Sequence, residues 1–147
     1  MIIRVAIPGD EIAIHQLIVE LAVYEKEPDA VANTPELLAI DLFKDKVCHA
    51  FVAEIDHQIV GFALYYFSYS TWKGRALYLE DIYIKEDFRN RHIGNQLFDK
   101  VVEEGLKAKV KRIDWQVLNW NEPAIAFYKK KNATLDPDWI NGRLHIY

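Results

Sequence analysis

The sequence predicts an α/β (α+β) fold: a mixed, mostly antiparallel sheet flanked by helices, in a single domain over residues 1–147. Two observations lead to it. Strand-like and helix-like segments follow one another in the order β-α-α-β-β-β-α-β-α-β, and the three central strand-like runs are separated only by short turns. No linker, internal repeat or low-complexity tract interrupts them.

Residues 2–7 form a short apolar run that stops at Pro8-Gly9, as a strand entering a turn does. Asp10 is placed to cap a first helix whose apolar residues Ile14, Leu17, Ile18 and Leu21 keep helical spacing and which ends near Tyr24-Glu25. Thr34-Pro35-Glu36 puts a capping hydroxyl before a proline and opens a shorter helix through Leu37, Leu38 and Phe43. Residues 49–55 and 59–69 are β-rich, with Asp56-His57 as the turn between them. Thr71-Trp72-Lys73-Gly74 breaks the pattern, and residues 76–84 make a third strand.

Helical spacing returns at Leu97, Phe98, Val101, Val102 and Leu106, in a helix that begins in the 89–94 segment. A strand is expected over residues 113–118, and a helix opened by Asn121-Glu122-Pro123 and running to Lys130. Residues 133–135 and 143–147 would complete the sheet.

A formal charge of −4 gives no chain-wide basic field, so neither nucleic acid nor an anionic membrane is an expected partner. The single cysteine, Cys48, excludes an internal disulfide or a multi-cysteine metal site and reads as a small buried hydrophobe; no metal is expected from the five scattered histidines. The start of the chain carries no signal-like apolar core, and no run reaches the roughly 18 apolar residues of a membrane span. A cytoplasmic location is therefore expected.

The chemistry points to one stretch. The strand Leu77-Tyr78-Leu79-Glu80-Asp81-Ile82-Tyr83-Ile84 leads through Asp87-Phe88 into Arg89-Asn90-Arg91-His92-Ile93-Gly94 and then a helix. A strand feeding a helix N-terminus presents unpaired backbone N–H groups and a positive dipole end, which suits a pyrophosphate. Arg89 and Arg91 would add guanidinium donors; on spacing alone they read equally as solvated arginines.

Phe88-Arg89-Asn90-Arg91-His92-Ile93-Gly94 resembles the Arg/Gln-x-x-Gly-x-Gly/Ala acetyl-CoA signature of the GNAT acyltransferases. Residues 65–75, 77–83 and the run Trp120-Asn121-Glu122-Pro123-Ala124-Ile125-Ala126-Phe127-Tyr128 resemble the spermidine/spermine (diamine) N-acetyltransferase branch, as does Leu21-Ala22-Val23-Tyr24-Glu25-Lys26. Tyr69-Ser70-Thr71-Trp72-Lys73-Gly74-Arg75 is closer to the thialysine acetyltransferase-like members, since the dedicated polyamine enzymes place an acidic residue where Ser70 stands.

The resemblance implies a homodimeric enzyme that moves an acetyl group from acetyl-CoA to a primary amine of a small substrate, a diamine, polyamine or thialysine/lysine-like amino acid. It places the cofactor against Ile82, Tyr83, Ile84, Arg89, Asn90, Arg91, His92, Ile93, Gly94, Asn121 and Tyr128. An aliphatic amine with a pKa of about 10.4 needs a proton acceptor, and the leaving thiolate a proton donor. The resemblance gives these roles to Glu80 and Tyr128.

Negative charge from Glu25, Glu80 and Asp81, with the faces of Tyr24 and Trp72, suits an ammonium substrate. Each residue also has an ordinary explanation: an ion pair for Glu80, packing for Tyr128, capping for Asn121, pairing in the sheet for Asp81, loop cover for Trp72. His92 departs from the motif, standing where the family has its first glycine. There it either crowds the phosphates or turns its ring outward and leaves its N–H usable. An acyl-CoA-binding module with little turnover and a protein lysine or N-terminal acetyltransferase are the competing expectations.

Overall fold

The computed structural model describes residues 1–146. The chain forms two compact units, Met1–Gln116 and Val117–Tyr147.

The first unit holds a five-stranded sheet in the order β1-β2-β3-β4-β5, made of β1 (Ile2–Val5), β2 (His49–Ile55), β3 (Gln58–Ser70), β4 (Gly74–Ile84) and β5 (Arg112–Asp114). All pairings are antiparallel except β4 with β5. The β2–β3 connection is the two-residue turn Asp56-His57, both at positive φ (49° and 64°), as the twist of a tight hairpin requires.

β3 is buried on both faces through its middle because helices cover both. Phe62 and Leu64 join Val52, Tyr83 and the α1 (Glu11–Tyr24) residues Ile14 and Leu17 in one core, closed by Leu38 and Leu42. Ala63 and Tyr65 point the other way, toward the side of α3 (Ile93–Lys107), whose buried stripe is Ile93, Leu97, Phe98 and Val101.

Thr34 caps α2 (Pro35–Ala39) as expected, its Oγ1 accepting from Leu37 N–H at 3.2 Å; the helix then continues as one π-helical turn, Ile40–Lys44. Asp10 stands at the N-cap position of α1 but makes no side-chain cap. Its carboxylate instead takes Arg4 (2.6 and 3.2 Å) and the Ile7 N–H (2.8 Å), because a charge-assisted two-pronged pair outcompetes a single amide. Cys48 is half-buried beside the core, with burial pushing its thiol pKa up.

In the second unit, α4 (Glu122–Lys130) is capped by Asn121, whose Oδ1 accepts from Ala124 N–H at 3.3 Å. The strand expected over 113–118 is only Arg112–Asp114, since the chain enters a turn at Asn119-Trp120. Residues 133–135 and 143–146 form no strand: the former are caught between Asn132 at positive φ and Pro137, and Leu144 and Ile146 are exposed with no ladder to satisfy their backbone. Tyr147, the last residue of that expected strand, lies outside the described residues.

Candidate active site

β4 and β5 are paired only from Ala76 to Tyr78, so among the described residues no strand covers the outer edge of β4 from Leu79 to Ile84. That edge, bearing Ile82, Tyr83 and Ile84, leads through a single 3₁₀ turn (Glu86–Phe88) into the turn that opens α3. Asn90 and His92 in this turn are both left-handed (φ 63° and 61°). His92 therefore occupies a backbone conformation that glycine adopts freely and a β-carbon resists by about 1 kcal/mol or more. Its side chain is exposed and makes no cap.

The first turn of α3 contains no acidic residue, whereas those of α1, α2 and α4 each do. The positive end of a 15-residue helix is thus left uncompensated, with the N–H groups of Ile93 and Gly94 at its opening. Arg91 is exposed beside it, with the Asp87 carbonyl at 3.4 Å and the Phe88 ring under its guanidinium. This geometry fits an anionic cofactor.

Arg89 is oriented differently from Arg91. Its Nε donates to the Ile84 carbonyl at 3.0 Å, and its guanidinium carbon lies 5.1 Å from the centre of the Tyr24 ring and 5.3 Å from that of Tyr83. One face of the Tyr24 ring, expected to greet a substrate cation, is thereby in contact with an arginine of the protein itself.

The carboxylates come together on the α1 side of the sheet. The register passes from Leu64↔Asp81 to Tyr65↔Leu79, which leaves Glu80 as the extra residue of a β-bulge. A bulge re-aims its side chain, and Glu80 is exposed. Asp81 is half-buried, and its pKa is pushed up to about 7, first by burial of the carboxyl and then by the neighbouring charges of Glu80 and Glu25.

Glu25, the C-cap of α1, has its own pKa raised by burial. It sits at the negative end of a helix with no basic residue in its last turn, where a carboxylate is disfavoured. Asp81, with the charges of Glu80 and Glu25 bearing on it, describes a place for a cation.

Tyr66 and Tyr78, which the sequence reading passed over, belong to the same face. They are register partners with rings stacked at 5.3 Å, and both phenol pKa values are raised by burial and then by Glu80, Tyr78 to about 12. Both lie in the stretches 65–75 and 77–83 that carry the family resemblance, and Tyr66 shares the parity of Phe62 and Leu64. The bulge that brings Glu80 beside them leaves no mark in the sequence.

Trp72 is not brought to this cluster. It is 80% exposed at the tip of the β3–β4 hairpin, and the six steps from Gly74 to Glu80 span about 20 Å of strand. Ser70 beneath it is buried, its Oγ accepting from the N–H groups of Trp72 (3.2 Å) and Lys73 (3.1 Å). Asn121 and Tyr128 lie in the second unit, Tyr128 buried on α4 with its ring edge-on to Phe127.

Comparison with known proteins matches residues 12–132 to the Acetyltransferase (GNAT) family. The chain is 44% identical over 142 residues to the thialysine N-epsilon-acetyltransferase of Bos taurus, an alignment covering 90% of this chain and 84% of that one. It is 33% identical over 143 residues to the human spermidine/spermine N(1)-acetyltransferase-like protein 1, covering 89% of this chain and 20% of that one. Among solved structures, an aminoglycoside acetyltransferase from an uncultured soil metagenomic sample superposes with a TM-score of 0.81 at 17% identity, over 99% of this chain and 96% of that one; this likeness concerns the fold. Fold, motif order and overall similarity agree: the chain belongs to the acetyltransferase (GNAT) family, whose enzymes use acetyl-CoA as cosubstrate.

Proposed function

We propose that residues 1–147 form one catalytic domain that transfers acetyl from acetyl-CoA to the primary amine of a small substrate, with a thialysine- or lysine-like amino acid preferred to a polyamine. The observation that carries this is the grouping of Glu25, Glu80 and Asp81 beside the uncovered edge of β4. A compact ammonium ion relieves the repulsion on Asp81, and the stacked Tyr66–Tyr78 pair gives its alkyl chain a flat wall.

Similarity to the bovine thialysine enzyme supports the amino-acid substrate. Ser70 supports it further: it stands where the resemblance places an acidic residue in polyamine enzymes, and its hydroxyl is engaged by the hairpin turn.

When bound, acetyl-CoA supplies an activated thioester. By the resemblance, the main chain at His92, Ile93 and Gly94 would hold its pyrophosphate, assisted by Arg91, and Asn90, Asn121, Ile82, Tyr83 and Ile84 would contribute to holding the rest of the molecule. Glu80, exposed at the bulge, accepts the proton of the ammonium through a water, and the freed nitrogen lone pair attacks the thioester carbonyl directly. As the C–S bond breaks, the Tyr128 hydroxyl would give a proton to sulfur, and the second proton that the nitrogen sheds on becoming an amide would restore the phenol. No acetyl-enzyme is formed, so a burst of acetylated protein counts against this scheme.

A homodimer belongs to the same reading through the resemblance, and a cytoplasmic location through the sequence expectation stated above. Among the described residues, no helix is long and apolar enough to cross a membrane and no cluster of three or more His, Cys, Asp or Glu side chains stands ready for a metal.

The test is acetyl-CoA turnover against thialysine, lysine, putrescine, spermidine and a lysine peptide. A free amino acid or diamine is expected to give the highest kcat/KM. A peptide far ahead of every free amine would make the chain a protein acetyltransferase. CoA-dependent thermal stabilisation without transfer to any amine would make it a binding module.

A further inference from the structure

We propose that Arg89 is a positioning residue that fastens the end of α1, where Glu25 stands, to the turn that opens α3, so that the amine and pyrophosphate sides of the site are set together. The inference rests on the reading that residues 89–94 hold the pyrophosphate of CoA.

Three contacts define the fastening. Arg89 Nε donates to the carbonyl of Ile84, the last residue of β4, at 3.0 Å. The guanidinium carbon lies 5.1 Å from the Tyr24 ring centre and 5.3 Å from that of Tyr83. Tyr24 is the final residue of α1, and Glu25 follows it with its charge bearing on Asp81. One half-buried side chain therefore ties the last turn of a helix, the end of a strand and the start of the cofactor turn.

A guanidinium suits this because it is flat enough to lie on aromatic faces while an N–H in its own plane makes a hydrogen bond. Lysine supplies the charge without that combination. Arg89 thus differs from Arg91, which remains exposed at the α3 opening and serves as the phosphate cation.

If Arg89 only touched phosphate, the ring of Tyr24 on α1 would be irrelevant to CoA affinity. With the fastening, the two are coupled, and linkage requires that whatever the end of α1 does to CoA binding, CoA does in return to the end of α1.

The experiment is calorimetric titration of coenzyme A into wild type, Tyr24→Phe, Tyr24→Leu, Arg89→Gln and the Tyr24→Leu/Arg89→Gln double variant, each checked for an intact thermal transition. Tyr24→Leu is expected to raise the CoA Kd about fivefold, a factor at the low end of typical site-to-site coupling. Tyr24→Phe, which keeps the ring face, is expected to change it less than about twofold, as is adding Tyr24→Leu to the Arg89→Gln protein.

Equal effects of Tyr24→Leu in the two backgrounds, or none in either, would overturn the fastening and leave the pyrophosphate assignment standing. Failure of wild type to bind CoA would overturn that assignment and the fastening with it. Should Tyr24→Leu not fold, the cycle is run with Tyr24→Met, read by the same criterion.

Discussion

Gly61 and Ile84 are register partners packed so closely that a β-carbon on Gly61 would stand 2.6 Å from Ile84 Cδ1 and 3.1 Å from the Tyr83 carbonyl oxygen. The Ile84 side chain can swing aside, but the carbonyl belongs to the sheet. Gly61→Ala is expected to destabilise the fold by about 1–2 kcal/mol, the range of mild overpacking. Because the Ile84 carbonyl anchors Arg89, the same change is expected to weaken CoA binding. Urea denaturation and CoA titration on one preparation check both; unchanged CoA affinity in a destabilised protein would detach the packing from the site.

His92→Gly replaces a left-handed non-glycine residue with the one that adopts φ 61° freely. The local strain relieved, about 1 kcal/mol, is partly offset by the greater freedom of glycine in the unfolded chain. Stability is therefore expected to stay within about 1 kcal/mol of wild type, while the Kd for CoA falls as the backbone N–H groups become easier to approach. An unchanged Kd would mean that the exposed ring already points clear of the phosphates.

Asp81 links the site to pH. Its carboxyl is held up to about 7 in the folded protein, against an ordinary value near 3.9 when unfolded. The folded state thus binds this proton more tightly than the unfolded one; its contribution to stability is complete below about pH 4 and is lost as pH rises through about 7.

Asp81→Asn, which cannot ionise, is expected to match wild type near pH 4 and to exceed it by up to about 4 kcal/mol above pH 7 in urea denaturation. Its amine kcat/KM should fall and lose the rise through neutral pH that wild type owes to the forming anion. A wild-type acidic limb that persists in Asp81→Asn would transfer that titration to Glu25 or Glu80.

Tyr128→Phe removes the proposed donor to the thiolate and nothing of the ring packing against Phe127. A loss of about 100-fold in kcat is expected, with CoA affinity changed less than about threefold. Full kcat across the pH range would end the acid assignment.

What could be read in advance follows the range of the interactions involved. The caps at Thr34 and Asn121, the helical stripe of Ile14 and Leu17, and the breaks at Asp56-His57 and Thr71–Gly74 are local chemistry, and the structure carries them as expected. The Arg89–Tyr24 contact joins residues far apart in sequence, and the Tyr66–Tyr78 stack depends on the register of two strands rather than on the pattern within either.

The bulge at Glu80 depends on register between two strands whose side chains look equally regular. Asp10 shows one local signal overruled by another, its capping carboxylate taken by the nearby Arg4. Leu144 and Ile146 show the opposite case, a strand-like alternation with no neighbouring strand to pair with.

The brevity of the β4–β5 ladder has a consequence for how such a protein can diversify. On the reading proposed above, a cofactor arm laid along the edge from Leu79 to Ile84 would be gripped by peptide groups that every residue possesses, whatever its side chain. Side chains along that strand and its hairpin are then free to be exchanged in search of new acceptors while the grip on the donor is inherited intact. Retailoring such an enzyme for a different amine is in this sense a problem confined to the carboxylates and phenols of one face.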